Sequence, residues 1–127
     1  MQEDPKEREI TDKILKAIEK QFGFIPVVNQ VLSERPDLFI PTANFGKAVL
    51  EGKGDLDQKT RYLAAVSAAA ALGGEHCVRV QMDHAVQAGA TKDEILECLV
   101  IGSYMALTRS QSYSFREYAE MFQKDKK

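Results

Sequence analysis

The 127-residue chain has no tryptophan, two cysteines and two histidines, and each scarcity removes a class of function. Cys77 and Cys98 are too few for a disulfide framework and lack the CxxC spacing of a zinc or dithiol site, so both are expected as reduced thiols. No GxGxxG or Walker-type loop is present to cradle phosphate, which excludes the common nucleotide sites. Seventeen basic and nineteen acidic residues are mixed along the chain for a net charge of −2, leaving no electrostatic footprint for nucleic acid or an anionic membrane surface. The opening Met1-Gln2-Glu3-Asp4-Pro5-Lys6 is charged and no unbroken apolar run follows it, so neither a signal peptide nor a membrane span is expected. A cytoplasmic protein is the expectation. The length suits one domain, residues 1–127, with its core over about residues 22–123. Sustained period-two alternation is also missing, so the fold is read as all-α.

What the chain does contain is helical periodicity with clear punctuation. Ile10, Ile14, Leu15, Ile18 and Phe22 mark an amphipathic helix over Glu7 to Phe22. Pro26 is placed at the first position of a short helix through Val27, Val28, Val31 and Leu32. Pro36 opens a third helix, which Gly52-Lys53-Gly54 ends and which Pro41 should kink or restart. Asp55 with Gln58 has the form of an N-cap and its reaching-back partner, ahead of an alanine-rich helix from Thr60 to Leu72 that should be central and buried. A helix from Glu75 follows and ends at Gly89 as a left-handed cap. Thr91-Lys92-Asp93-Glu94 is a capping box before Ile95, Leu96, Leu99, Val100 and Tyr104, with Cys98 read as a core residue. Thr108 to Gln111 is read as a polar break before a last helix from Ser112 and a frayed Lys-rich tail, which makes at least seven helices.

Chemistry concentrates in Gly74-Glu75-His76-Cys77-Val78-Arg79-Val80-Gln81-Met82-Asp83-His84. Cys77, Gln81 and His84 are related as i, i+4 and i+7 and fall within roughly 60° of one another on a helix. With Gly74 ending the preceding turn, Cys77 lies in the first helical turn, where free amides and the helix dipole favour a thiolate. Glu75 and His76 point away from that face, so Cys77 and His84 gain no further donors from their own helix, and no metal or cofactor is expected.

The order Leu56-Asp57-Gln58-Lys59-Thr60-Arg61-Tyr62-Leu63, the alanine helix, Glu75-His76-Cys77, and Ala88-Gly89-Ala90-Thr91-Lys92-Asp93-Glu94-Ile95-Leu96-Glu97 resembles the carboxymuconolactone decarboxylase and alkylhydroperoxidase D superfamily. Phe22-Gly23-Phe24-Ile25-Pro26 and Pro36-Asp37-Leu38 look like the N-terminal helices of its longer members. The resemblance implies an all-helical fold, assembly as trimers or hexamers, and a site where the cysteine-bearing helix meets its neighbours. Peroxidase-type members carry Arg-Glu-Leu in the alanine-rich helix and Cys-x-x-Cys-x-x-x-His on the next. Aligned on Ala88-Gly89-Ala90, Cys77 falls on the cysteine that attacks peroxide. Gly74 stands for the other cysteine, Gln81 for the histidine and Tyr62 for the glutamate.

The resemblance therefore implies a thiol-dependent peroxidase with Cys77 as nucleophile, His84 as a replacement base, and Gln81 and Tyr62 as polar orienters. Without a cysteine at 74 the oxidised Cys77 would need an external thiol reductant. Two other readings stay open: a lyase like the lactone decarboxylase branch, acting on a small carboxylate, and a non-catalytic oligomer. The helix through Ile95 to Tyr104, extended by Ile101, Met105 and Leu107, is apolar around more of its circumference than one core covers. A homotrimer or homohexamer is expected on that ground, with the Cys77 pocket close to a subunit boundary.

Overall fold

The computed structural model describes residues 4–123; the Lys-rich tail and the side chain of His76 lie outside the described residues. Six helices and no strand are found among them: α1 (Pro5–Phe22), α2 (Val27–Leu32), α3 (Pro36–Glu51), α4 (Gln58–Leu72), α5 (Glu75–Gln87) and α6 (Lys92–Phe122). The all-α architecture is as the sequence predicts. None of these helices is long and apolar enough to cross a membrane. Contacts divide the chain into two compact units, Met1–Lys53 and Gly54–Lys127.

In the first unit α1 begins at the Asp4 cap, whose carboxylate accepts from the Lys6 amide at 2.9 Å, and stops where Gly23 turns left-handed at φ 80°. Pro26 sits one residue earlier than expected, at the N-cap of α2 with extended ψ, because its ring does not hinder that position. Pro36 starts α3, and the helix runs on through Pro41 instead of restarting there. Packing of α1 and α2 against α3 buries Phe39 and Thr11 completely. The inward centre of α1 is thus Thr11, one position from Ile10, which stays exposed. An Arg8 guanidinium N–H donates to the Ser33 carbonyl at 3.1 Å and ties α1 to the turn before α3.

In the second unit the cap of α4 is Asp57, not Asp55. Asp57 directly precedes the first helical residue, and its carboxylate accepts from the Thr60 amide at 2.8 Å, the distance of a short N-cap bond. Gly73, at φ 76°, closes α4, and the chain reverses into α5 through Gly74. Gly89, at φ 96°, follows the end of α5 as predicted. The capping box is formed in full: Thr91 Oγ1 accepts from the Glu94 amide at 3.1 Å and Glu94 Oε1 accepts from the Thr91 amide at 2.8 Å. The polar stretch Thr108 to Gln111 does not break α6, which is why there are six helices and not seven. It contains neither glycine nor proline, and Thr108 bonds its hydroxyl to the Met105 carbonyl within the same helix.

Helix α4 is the central element, packed on both α5 and α6. Tyr62, Val66 and Ala69 form its inward stripe, meeting Ala85 of α5 and Ile95 of α6 in the core. Its small residues let α6 come close: a Cβ on Gly102 would overlap the Ser67 carbonyl and reach within 3.0 Å of Ala70 Cβ. Ser67 Oγ also donates to the Cys98 carbonyl at 2.6 Å. At the start of both helices Lys59 Nζ lies 2.9 Å from Glu94 Oε2.

Glu94 is held below the usual carboxylate range, first by the Thr91 amide and then by Lys59. Asp57 is lowered in the same direction, chiefly by the Thr60 amide. A depressed folded pKa contributes stability that is present above the unfolded value and lost as pH falls through the folded one. The thermal midpoint should therefore drop progressively below about pH 4.5, the ordinary glutamate region. Glu94→Gln, which can still reach the Thr91 amide but cannot titrate, should lower the midpoint slightly at pH 7 and flatten part of that acid dependence. Calorimetry from pH 7 to pH 3 on both proteins checks it.

Candidate functional site

The four sequence-predicted residues lie in the second unit, and three of them come together. Tyr62, the fifth residue of α4, is 7% exposed, and its ring centroid stands 4.8 Å from that of His84 with the planes tilted by 43°. His84, near the end of α5, places Nδ1 3.4 Å from Oε1 of Gln81, one turn earlier on the same face. The contact between an early residue of α4 and a late residue of α5 follows from their antiparallel reversal at Gly73-Gly74. A partly buried Tyr–His–Gln cluster results, with a phenol, an imidazole and a carboxamide as its polar groups.

Cys77 stands at the other end of α5. It is the third residue of that helix, in the first turn as predicted, and its thiol is exposed and free. Two helical turns, about 10 Å along the axis, separate it from His84, so the two side chains do not form a direct hydrogen bond. Cys98 is free as well, so the two cysteines are not joined. It is half-buried on α6, where its backbone carbonyl accepts the Ser67 hydroxyl.

Gly74 shapes the surroundings of the thiol. A Cβ built there would lie 3.4 Å from Cys77 Cβ and 3.7 Å from its sulfur, so the missing side chain leaves space directly beside Sγ. Gly74 has φ −81°, a conformation open to any residue.

Among the described residues no three His, Cys, Asp or Glu side chains gather as a metal site. The guanidinium of Arg79 is 3.4 Å from Asp83 on an exposed part of α5 and is not aimed at the cluster. Sequence reasoning assigned no role to Arg61, directly before Tyr62. Its Nε donates to the Leu56 carbonyl at 3.0 Å, while Nη1 is buried without a hydrogen-bond partner. A charged residue inside the first turn of an otherwise alanine-rich helix was the available signal.

With this geometry in place, the comparison with known families is specific. A model of the carboxymuconolactone decarboxylase family matches residues 36–120, and the chain belongs to that family. The match begins at Pro36, so α1 and α2 lie outside it, and it contains Tyr62, Cys77, Gln81 and His84. No curated protein and no solved structure matches the chain.

The closeness of position 74 to the Cys77 sulfur gives a direct test of the local geometry. A Cβ–Cβ separation of 3.4 Å lies just below the range for a disulfide, about 3.5–4.5 Å, and a slight opening of the turn brings it within that range. Gly74→Cys should therefore pair with Cys77 under mild oxidation, leaving one titratable thiol of three. Peptide mapping that instead finds Cys98 in the bond, or three free thiols after oxidation, would contradict the placement.

Proposed function

We propose that the protein is a thiol-dependent peroxidase resembling alkylhydroperoxidase D, with Cys77 as redox nucleophile and a cycle that uses a single cysteine. The observation that carries this reading is an exposed first-turn thiol on the helix that also holds Gln81 and His84, in a chain of this family. The Cys77 thiolate attacks an oxygen of a hydroperoxide; an S–O bond forms, the O–O bond breaks, and the alcohol leaves after taking a proton. His84 supplies that proton, and the distance from Cys77 means it travels by way of water or the bound substrate. Gln81 and Tyr62 orient the imidazole. The sulfur is left as a sulfenic acid.

Gly74 offers no second thiol, so the oxidised sulfur is resolved from outside. An external thiol condenses with the sulfenic acid, releasing water and leaving a mixed disulfide. A second thiol then attacks that disulfide, restores Cys77 and departs in the oxidised pair. The space beside Sγ is where such a thiol approaches. A reducing cytoplasm would maintain the supply. In the presence of a small dithiol, wild-type protein should consume an organic hydroperoxide and Cys77→Ser should fall to the uncatalysed background. Equal rates for the two would remove this reading.

The separation of Cys77 from the Tyr62–His84–Gln81 cluster favours one second reading, a lyase like the lactone decarboxylase branch of the family. Acid–base chemistry on a small cyclic carboxylate needs the cluster and not the thiol. Turnover of a muconolactone-type compound that survives Cys77→Ser would select it.

Assembly is part of the proposal. Helix α6 has 31 residues and extends about 46 Å, whereas α4, on which it packs, has 15 and extends about 22 Å. Val100, Ile101, Tyr104, Met105, Phe115 and Met121 are all at least half exposed along it. Covering such a surface is worth about 25 cal/mol for each Å² of apolar area removed from water. A homotrimer, or a homohexamer built from two trimers, answers that need, with the Cys77 pocket near the subunit boundary. Sedimentation equilibrium at micromolar concentration should give three or six times the 14.2 kDa chain mass. A monomer would refute the assembly.

A further inference from the structure

We infer that the outward stripe of α6 is a self-pairing seam: it packs antiparallel against α6 of a second copy of this chain, about a twofold axis level with Arg109 and Ser110. The inference rests on the assembly proposed above only for the number of subunits, since a twofold contact is what joins two trimers into a hexamer. On a helix advancing about 100° per residue, Ile101, Tyr104, Thr108, Gln111, Phe115, Tyr118 and Phe122 line one stripe, spaced alternately three and four residues apart. That alternation is the a and d pattern by which two helices pack knobs into holes. Gly102, which packs on Ser67 and Ala70 of α4, lies roughly 150° around the helix from the centre of the stripe, so α4 leaves the stripe uncovered. Its apolar members are 50–67% exposed.

Charge, register and area match this stripe to a second copy of itself. The flanking positions Met105, Leu107, Ser112, Ser114, Ala119 and Met121 carry no charge, and Arg109, Arg116, Glu117 and Glu120 all fall on other faces. A charged partner finds nothing to pair with there, whereas a second uncharged stripe does. Reversing one helix sets each a position against a d position, so Ile101 meets Tyr118 of the second copy, Tyr104 meets Phe115 of the second copy, and Thr108 meets Gln111 of the second copy. Polar then faces polar. Thr108 gives its hydroxyl hydrogen to the Met105 carbonyl at 3.0 Å and keeps lone pairs for a carboxamide N–H. Direction follows from the lengths: contacts with α4 run from Glu94 to Gly102, and α6 continues to Phe122. In the antiparallel pair each unsupported end lies on the α4-backed half of the other copy and the helix dipoles oppose, whereas in a parallel pair the unsupported ends would rest only on each other. The stripe and its flanks present roughly 1,000 Å² of exposed apolar surface, against about 800 Å² per partner in a stable interface.

The test is directed cross-linking in the full-length chain with Cys77 and Cys98 replaced by serine. Ile101→Cys and Tyr118→Cys in one chain stand about 25 Å apart along the helix and cannot bridge within it. The double variant should form a disulfide-linked dimer under mild oxidation, with 101 of one copy joined to 118 of the other, and either substitution alone should leave its thiol free. A dimer from a single variant, joined 101 to 101, would mean a parallel pair and overturn the inference, as would a double variant that does not cross-link. Sedimentation gives a second readout: Phe115→Glu, with its helices intact by circular dichroism, should halve the wild-type mass, and an unchanged mass overturns the seam. A wild-type trimer without the cross-link keeps the proposed trimer and removes the seam; a cross-linked dimer keeps the seam and removes the trimer. A wild-type monomer, including one that floats with phosphatidylcholine vesicles, removes both.

Discussion

The backbone approach of α6 to α4 at Gly102 is the constraint on which the second unit depends. A single methyl group at that position would meet the Ser67 carbonyl, so the two helices pack closer than ordinary side chains permit. Alanines contribute little area each, and α4 gains its stability from many short contacts made possible by that closeness. The Ser67 hydroxyl bonded to the Cys98 carbonyl and the Lys59–Glu94 ion pair tie the same two helices at other points along α4. With α6 on one side, α4 presents Tyr62, Val66 and Ala69 to the shared core and receives α5.

The site is a consequence of how α5 is received. Reversal through Gly73 and Gly74 makes α5 antiparallel to α4, so the start of α4 meets the end of α5. Tyr62 is thereby brought to His84, and Cys77 is left at the opposite end beside the reversal itself. One short helix carries two chemically different ends, an exposed thiol and a partly buried cluster of phenol, imidazole and carboxamide. Gly74 lies beside the thiol at one end, and Tyr62 and Gln81 lie around His84 at the other.

How α6 outgrows its partner explains why the described surface is so apolar. Helices stop growing in water when nothing covers them, because propensity alone sustains only marginal stability. Here the helix continues through a polar stretch without glycine or proline and carries aromatic residues to Phe122. Such a helix is more stable when further apolar surface packs against it, and a subunit interface of the kind proposed would supply that cover.

Local signals were legible in the sequence because each is complete within a few adjacent residues. The Thr91–Glu94 capping box, the left-handed glycine after α5 and the first-turn position of Cys77 need only their neighbours in the chain, and all are found as read. The choice of Asp57 over Asp55 was less legible, since two acidic residues two positions apart offer the same cap and only the exact first turn of α4 distinguishes them. The continuity of α6 through Thr108 to Gln111 is not legible in the sequence because polar composition resembles a loop, whereas ending a helix requires a residue that breaks its backbone bonds. Family membership and the helical fold could be recognised from the order of residues from Leu56 to Glu97. Only the tertiary structure decided that Thr11 and not Ile10 faces inward on α1, that Gly102 meets Ser67, and that Tyr62 stacks near His84 while Cys77 stands apart. Periodicity defines a face to within one residue and says nothing of what a second helix brings to it. Those outcomes depend on which helix lies opposite and in which direction it runs, information held in no single stretch of the chain.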